Sequence, residues 1–187
     1  MDAGLRLIAE RGYRAVTVGD IEADAGFVAR GGTLYKHFAS KAELLDAALR
    51  RHIESVGRFE ELLALLPLPD LRSELNLLGR WLLNELSREE MVTRIIEKEG
   101  DQLTHLIDAM REGISETGYR LARSYIDQRE MAGSWDADAL AVVLLGGLIN
   151  LRRSTWTFGK PPLGLDDERV LGTWVELCLT AANASTA

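Results

Sequence analysis

The stretch between Ala25 and Ala42 combines several phosphate-binding side chains and contains no aspartate or glutamate. It carries guanidinium, hydroxyl, phenol, ammonium and imidazole groups, on Arg30, Thr33, Tyr35, Lys36, His37 and Lys41. Such groups donate hydrogen bonds to phosphate oxygens, and hydroxyl and ammonium groups also reach the edges of bases. Because the local charge is positive, the stretch predicts contact with a phosphate backbone.

Short helices are expected to present these groups. Thr17 and Asp20 have the spacing of a capping box, which starts a helix that Gly26 ends. After a turn, a second short helix is predicted over about residues 32–38, and a third begins at Ser40. This order is that of a helix-turn-helix, which places its second helix in the major groove of DNA.

The second helix has a bare start and an apolar face. Gly31 and Gly32 leave backbone amides and the positive end of the helix dipole open to a close phosphate. Leu34 and Phe38 share one face, because residues at this spacing are neighbours on a helix surface. We therefore expect the apolar pair to anchor the helix in a core and the polar side chains to face the partner.

The string GTLYKHFASKAELL, preceded by the helix start TV-x-D-I, resembles the DNA-binding head of the TetR family of bacterial transcription regulators. The resemblance covers about residues 5–50 and implies that the second helix is a recognition helix. It implies DNA contacts at Thr17, Thr33, Tyr35, Lys36, His37 and Lys41. The positive charge of Arg30 and the bare backbone of Gly32 add these two residues to the predicted DNA-binding site. From their places, Thr33 and Lys36 are expected at base edges.

Two features depart from the pattern of that family. Six residues, FVARGG, separate Ala25-Gly26 from Thr33, where the commonest pattern has four, and this predicts a longer turn. Glu22 stands where a small residue is usual.

Charge is distributed unevenly along the 187 residues. Residues 1–52 carry a net charge of +1 and residues 53–187 carry −8, which gives −7 for the chain. An acidic body would repel DNA, so binding is expected only in the head.

The chain contains one cysteine, which excludes an intramolecular disulfide. It does not begin with an uncharged apolar run long enough for a signal peptide or a membrane anchor. A cytoplasmic protein with no membrane contact is expected.

Apolar residues recur at helical spacing throughout, and no segment alternates long enough to form a strand. The predicted fold is all-α, with a helix-turn-helix DNA-binding domain at residues 1–50 and a helical-bundle ligand-binding and dimerisation domain at residues 51–187. The long helix that begins at Ser40 is expected to connect the two.

Residues for catalysis are scarce. The chain has no phosphate loop and no GxGxxG motif. Asp101 and Asp108 flank His105 at spacings that could hold a metal, but solvated side chains on an exposed helix face are the better explanation. Cys178 lies in an apolar stripe, where packing is the simpler role. We predict no catalytic residue, no metal and no cofactor.

Aromatic and methionine side chains of the body indicate a pocket for an effector, since sites between bundle helices are largely apolar. Its predicted lining is Trp81, Met91, His105, Met110, Tyr119 and Trp156. Core packing is the alternative for each of them. The resemblance adds that members of the family commonly place an effector among these helices.

The last two helices carry more apolar surface than one packing contact would bury, which predicts a homodimer that pairs them as a four-helix bundle. The predicted interface comprises Leu140, Leu144, Gly147, Leu148, Leu151, Leu171, Trp174 and Cys178. Together these features favour a DNA-binding transcriptional regulator. We expect it to act as a repressor at a near-palindromic operator on double-stranded DNA. Binding of a small hydrophobic effector is expected to release the repressor from the operator. The alternative is a helical carrier of small molecules without DNA binding, and an enzyme is disfavoured.

Overall fold

The computed structural model describes residues 2–28, 31–55, 62, 66–99 and 104–184, and these form helices and connecting turns with no strand. This confirms the all-α prediction. The helices are α1 (Asp2–Arg11), α2 (Val18–Asp24), α3 (Lys41–Ser55), α4 (Leu71–Arg88), α5 (Glu90–Glu99), α6 (Thr104–Met110), α7 (Thr117–Gln128), α8 (Ala137–Phe158) and α9 (Asp167–Ala184). Single 3₁₀ turns lie at Leu34–Lys36 and Pro162–Gly164, and a π-helical turn lies at Arg111–Glu116.

Side-chain caps start several of these helices where the sequence predicts them. Thr17 accepts a hydrogen bond from the Asp20 amide at 3.2 Å, and Asp20 accepts one from the Thr17 amide at 2.8 Å, so the capping box of α2 is present. Asp70 caps α4 and Asp136 caps α8 in the same way. Caps are local in sequence, since a polar side chain meets an amide two or three residues away.

The chain divides into two compact units. The first contains residues 1–57 and 91–114, and the second contains residues 58–90 and 115–187. The sequence pattern predicts residues 91–114 in the second domain. The structure groups them with the head because Val92 and Ile95 of α5 and Met110 of α6 are buried in the same apolar core as Leu45 of α3.

Among the described residues, the core of the second unit lies mainly between α4, α7, α8 and α9. α4 packs on α8 and α9, and α7 packs on α8. Gly79 of α4 lets α9 approach closely, because a methyl group at this position would lie 2.3 Å from the Leu171 side chain. The Trp174 indole donates to the Leu144 carbonyl oxygen at 3.0 Å, so one buried polar group of this core is satisfied.

No helix within the described ranges has the length and apolar character needed to cross a bilayer.

Candidate DNA-binding site

The recognition segment is a short helical turn. Its regular part is the 3₁₀ helix Leu34–Lys36, and the Phe38 amide donates to the Leu34 carbonyl oxygen at 2.8 Å to close it. The helix is shorter than the predicted 32–38. Gly32 has a left-handed φ of +70°, which a right-handed helix excludes, and the Gly31 amide closes a separate turn on the Val28 carbonyl oxygen.

Two faces of this turn have different surroundings. Leu34 and Phe38 are partly buried against the core of the first unit, which confirms the predicted anchor. Tyr35, Lys36 and His37 are exposed, with 60% of Tyr35 accessible to solvent. The structure thus presents a phenol, an ammonium and an imidazole together on the outside of the turn, where they can donate to phosphates and bases.

The remaining predicted contacts have mixed surroundings. Thr33 is half-buried at the start of the turn, and Gly32 has open space where a side chain would project. Thr17 is exposed, although its hydroxyl donates to Asp20 at 2.6 Å as part of the cap. Arg30 lies outside the described residues.

Lys41 lies at the start of α3, as predicted, and its ammonium group binds the protein's own backbone. Its ammonium group donates to the carbonyl oxygens of Tyr13 and, at 2.7 Å, of Val16, and it lies 4.1 Å from the centre of the Tyr13 ring. Burial lowers the pKa of Lys41, while the charge of Glu99 acts in the opposite direction. The side chain binds the connection between α1 and α2, which gives it a structural role, and its phosphate contact stays a prediction.

Glu22 also belongs to this site, although in the sequence it stands out only as a departure from the family pattern. Its side chain is 1% exposed, and its Oε1 accepts a hydrogen bond from the Leu34 amide at 3.0 Å. An acid at a core-facing position of α2, next to an unusually long turn, was the available signal.

Helix α5 holds the end of α1 through two further residues that the sequence did not indicate. Lys98 donates to the carbonyl oxygens of Ala9 at 2.6 Å and Glu10 at 3.3 Å, which are unpaired acceptors at a helix C-terminus. Glu99 accepts from the Tyr13 amide at 2.9 Å. These bonds fix the segment that Lys41 binds from the other side.

The predicted effector residues are divided between the two units. Trp81, Tyr119 and Trp156 are half-buried in the second unit, whereas Met91 is 37% exposed in the first. Met110 is 5% exposed in the core of the first unit, so it is a packing residue. The side chain of His105 lies outside the described residues.

An open cavity of about 360 Å³ beside the end of α7 is lined by other residues, Ile126, Asp127, Glu130, Ala132 and Gly133.

The predicted dimer residues are mostly the chain's own core. Seven of the eight are buried within the second unit, and only Gly147 is exposed. Helix α8 is apolar on nearly every side, so its pattern does not show which face the monomer buries. Large apolar side chains are exposed on both helices: Val142, Val143 and Phe158 on α8 and Leu177 on α9, at 52%, 67%, 73% and 54% exposure.

The structure describes the candidate nucleophile and only part of the candidate metal site. No group of three His, Cys, Asp or Glu within the described ranges is arranged to hold a metal, and Asp101 lies outside those ranges. Cys178 is 1% exposed, and burial raises the pKa of its thiol to about 12, which agrees with the predicted packing role.

Comparison with known proteins supports the assignment of the head. Residues 1–48 match the model of the bacterial regulatory proteins of the tetR family. The HTH-type transcriptional repressor KstR2 of Rhodococcus jostii is 42% identical over 65 residues, which are 34% of this chain and only 31% of that repressor. The match therefore spans about a third of the relative's length.

Solved structures match almost the whole chain in fold. A candidate TetR-family transcriptional regulator of Mesorhizobium loti has a TM-score of 0.75 at 22% identity, over 96% of this chain and 92% of its own. The fatty acid degradation regulator FadR of Bacillus halodurans has a TM-score of 0.68 at 20% identity, over 95% and 91%. Residues 1–48 therefore match the N-terminal domain of the tetR family of bacterial regulatory proteins, and the fold of the described residues is similar to that of the two solved regulators.

Proposed function

We propose that the protein is a DNA-binding transcriptional regulator that represses genes by occupying a near-palindromic operator. The observation that carries the proposal is the exposed group Tyr35, Lys36 and His37 on the recognition turn of a tetR-type head. The relative KstR2 is a transcriptional repressor, which favours repression for this chain. A regulator of this kind acts in the cytoplasm on double-stranded DNA.

Selection of genomic fragments by the purified protein, followed by footprinting, tests this function. We expect one short protected site with inverted symmetry, bound much more tightly than scrambled DNA of the same length. Replacing Tyr35, Lys36 and His37 together by alanine should abolish the footprint. The carrier hypothesis predicts a protein that binds small molecules and passes through a DNA column at low salt, and that result would replace the proposal.

We place the dimer contact on the exposed sides of α8 and α9. Val142, Val143 and Leu177 supply apolar surface there. Gly147 and Gly172 have open space where a side chain would project, so another helix can approach closely. Two copies joined in this way present two recognition turns, which suits half-sites about 34–36 Å apart.

A small hydrophobic effector is proposed to bind the second unit and to lower operator affinity. Half-buried Trp81, Tyr119 and Trp156 are the lining candidates within that unit. Because one structural neighbour regulates fatty acid degradation, acyl compounds are the first class to test. Titrations followed by tryptophan emission should show binding, and bound compound should weaken the footprint. Compounds that bind and leave operator affinity unchanged would contradict the coupling, since linkage is reciprocal.

A further inference from the structure

We propose that Glu22 is a positioning residue for DNA reading, which caps the recognition turn from a neighbouring helix. The inference rests on the proposed function and adds a residue to it. Glu22 lies on α2, and the turn that it holds begins twelve positions later, at Leu34.

The burial of Glu22 sets it apart from the other acids of its helix. Its side chain is 1% exposed, whereas Asp24 lies at the surface in an ion pair with Arg6. Placing a carboxylate inside a protein costs free energy unless hydrogen bonds compensate for its lost hydration. An acid on the surface of a helix keeps its hydration and does not carry this free-energy cost. The burial of Glu22 therefore requires a specific explanation.

The partner of Glu22 is an amide that the recognition turn cannot satisfy by itself. The first amides of a helix have no acceptor within the helix, and Thr33 makes no side-chain cap here. Oε1 of Glu22 accepts the Leu34 amide at 3.0 Å, so it occupies the place of an N-cap. A negative charge at this end also complements the helix dipole.

The second oxygen of the same carboxylate is buried without a hydrogen-bond partner among the described residues. A buried acceptor in that state lowers stability rather than raising it. The acid is therefore explained better by the geometry that it imposes on the turn than by a gain in stability. Tyr35, Lys36 and His37 follow directly after the capped amide, so their placement depends on this bond.

Three variants separate positioning from folding. Glu22→Ala removes the acceptor, Glu22→Gln keeps an acceptor oxygen without the charge, and Asp24→Ala removes an equal charge from the same helix without touching Leu34. The measurements are affinity for the operator, affinity for scrambled duplex, thermal unfolding, and hydrogen exchange of the Leu34 amide.

For Glu22→Ala we expect the ratio of operator to scrambled affinity to fall roughly tenfold to a hundredfold, with little change on scrambled duplex. Glu22→Gln should restore most of the ratio, and Asp24→Ala should leave it at the wild-type value. A parallel loss on both duplexes that follows a lower unfolding temperature would assign Glu22 a structural role only and overturn the proposal.

Hydrogen exchange tests the cap without DNA. The Leu34 amide should exchange slowly in the wild type and in Glu22→Gln, and rapidly in Glu22→Ala. Equal exchange rates in all variants would contradict the inference. A protected Leu34 amide in a protein that binds no DNA would instead contradict the proposed function, since the cap would be present with nothing to position.

Discussion

Lys36 and Lys41 carry the same charge in opposite surroundings. Lys36 is exposed on the recognition turn, whereas the ammonium of Lys41 binds backbone carbonyl oxygens. Lys36→Ala should therefore cost about 1–3 kcal/mol of operator binding with unchanged stability, if the Lys36 side chain contacts a base edge.

Lys41→Ala should lower the free energy of unfolding by about 1–3 kcal/mol, because hydrogen bonds from a charged donor are lost.

Urea unfolding and a salt series on operator and scrambled duplex measure these effects. Equal losses on the two duplexes for Lys36→Ala would assign that side chain to the phosphate backbone. An unchanged unfolding midpoint for Lys41→Ala, together with a flatter dependence of affinity on salt, would return Lys41 to the phosphate contact first predicted for it.

Cys178 provides a test of pH dependence in the second unit. Burial raises the pKa of its thiol to about 12 in the folded state, from an ordinary value near 9. Above the unfolded pKa the unfolded chain releases this proton and the folded chain retains it, so stability falls as the pH rises from about 9 towards 12. Between pH 7.5 and 9.5 the loss should be about 1 kcal/mol.

Urea unfolding of wild type and Cys178→Ala at both pH values measures this loss. The variant should be less stable at either pH, because the substitution leaves a cavity. Its free energy of unfolding should fall less between the two pH values than that of the wild type, because it has no thiol to lose a proton in the unfolded chain. Rapid reaction of the native thiol with a disulfide reagent at pH 8 would show that the side chain is not buried as described.

At the scale of elements, the attachment of α5 to the end of α1 is the contact most open to experiment. Lys98 binds two carbonyl oxygens at that end. Lys98→Ala should raise hydrogen exchange over residues 9–16 and lower stability by about 1–2 kcal/mol. Lys160→Ala, which removes an exposed lysine after α8, should change neither quantity. Unchanged exchange in Lys98→Ala would mean that the bonds contribute nothing to the order of this segment.

Sequence reasoning succeeded for features that are local along the chain. The start of α2 follows from Thr17 and Asp20, because both partners of the cap lie within one turn. It failed where a partner is distant. The length of the recognition turn depends on Gly32 and on Glu22, which lies twelve positions before its partner Leu34. The position of α5 depends on a core that it shares with α3.

The interface prediction shows a second limit. Helix α8 buries Leu144 and Leu148 and exposes Val143, yet all three are apolar. Periodicity finds an apolar face by contrast with polar neighbours, and α8 offers little contrast. Which face of α8 is buried in the monomer is therefore determined by its packing against the other helices and is not visible in the sequence of α8.

For the whole molecule, we expect a homodimer that depends on the exposed apolar side chains. Val143→Arg with Leu177→Arg should give a folded monomer, because both changes place charge on surface that only a second copy would cover. Leu148→Arg should fail to fold, since Leu148 is 0% exposed within its own chain. Sedimentation with circular dichroism distinguishes the two outcomes.

A wild-type protein that sediments as a monomer at micromolar concentration would contradict the dimer. A double variant that remains dimeric would move the interface to another surface. In the proposed regulator, the monomeric variant should also lose most of its operator affinity and keep the weak binding of a single half-site, because one head contributes only half of the contacts.

The bond between Glu22 and Leu34 also limits how this head can be re-engineered. A designer who wished to transfer its DNA preference to a relative would naturally exchange the continuous segment 31–38. In a recipient with a small residue at the position of Glu22, the transplanted turn would lose the acceptor of its first amide. The transferable module is therefore discontinuous, the turn together with one acid from the preceding helix, and chimeras that carry both parts should retain the donor's preference where the segment alone does not.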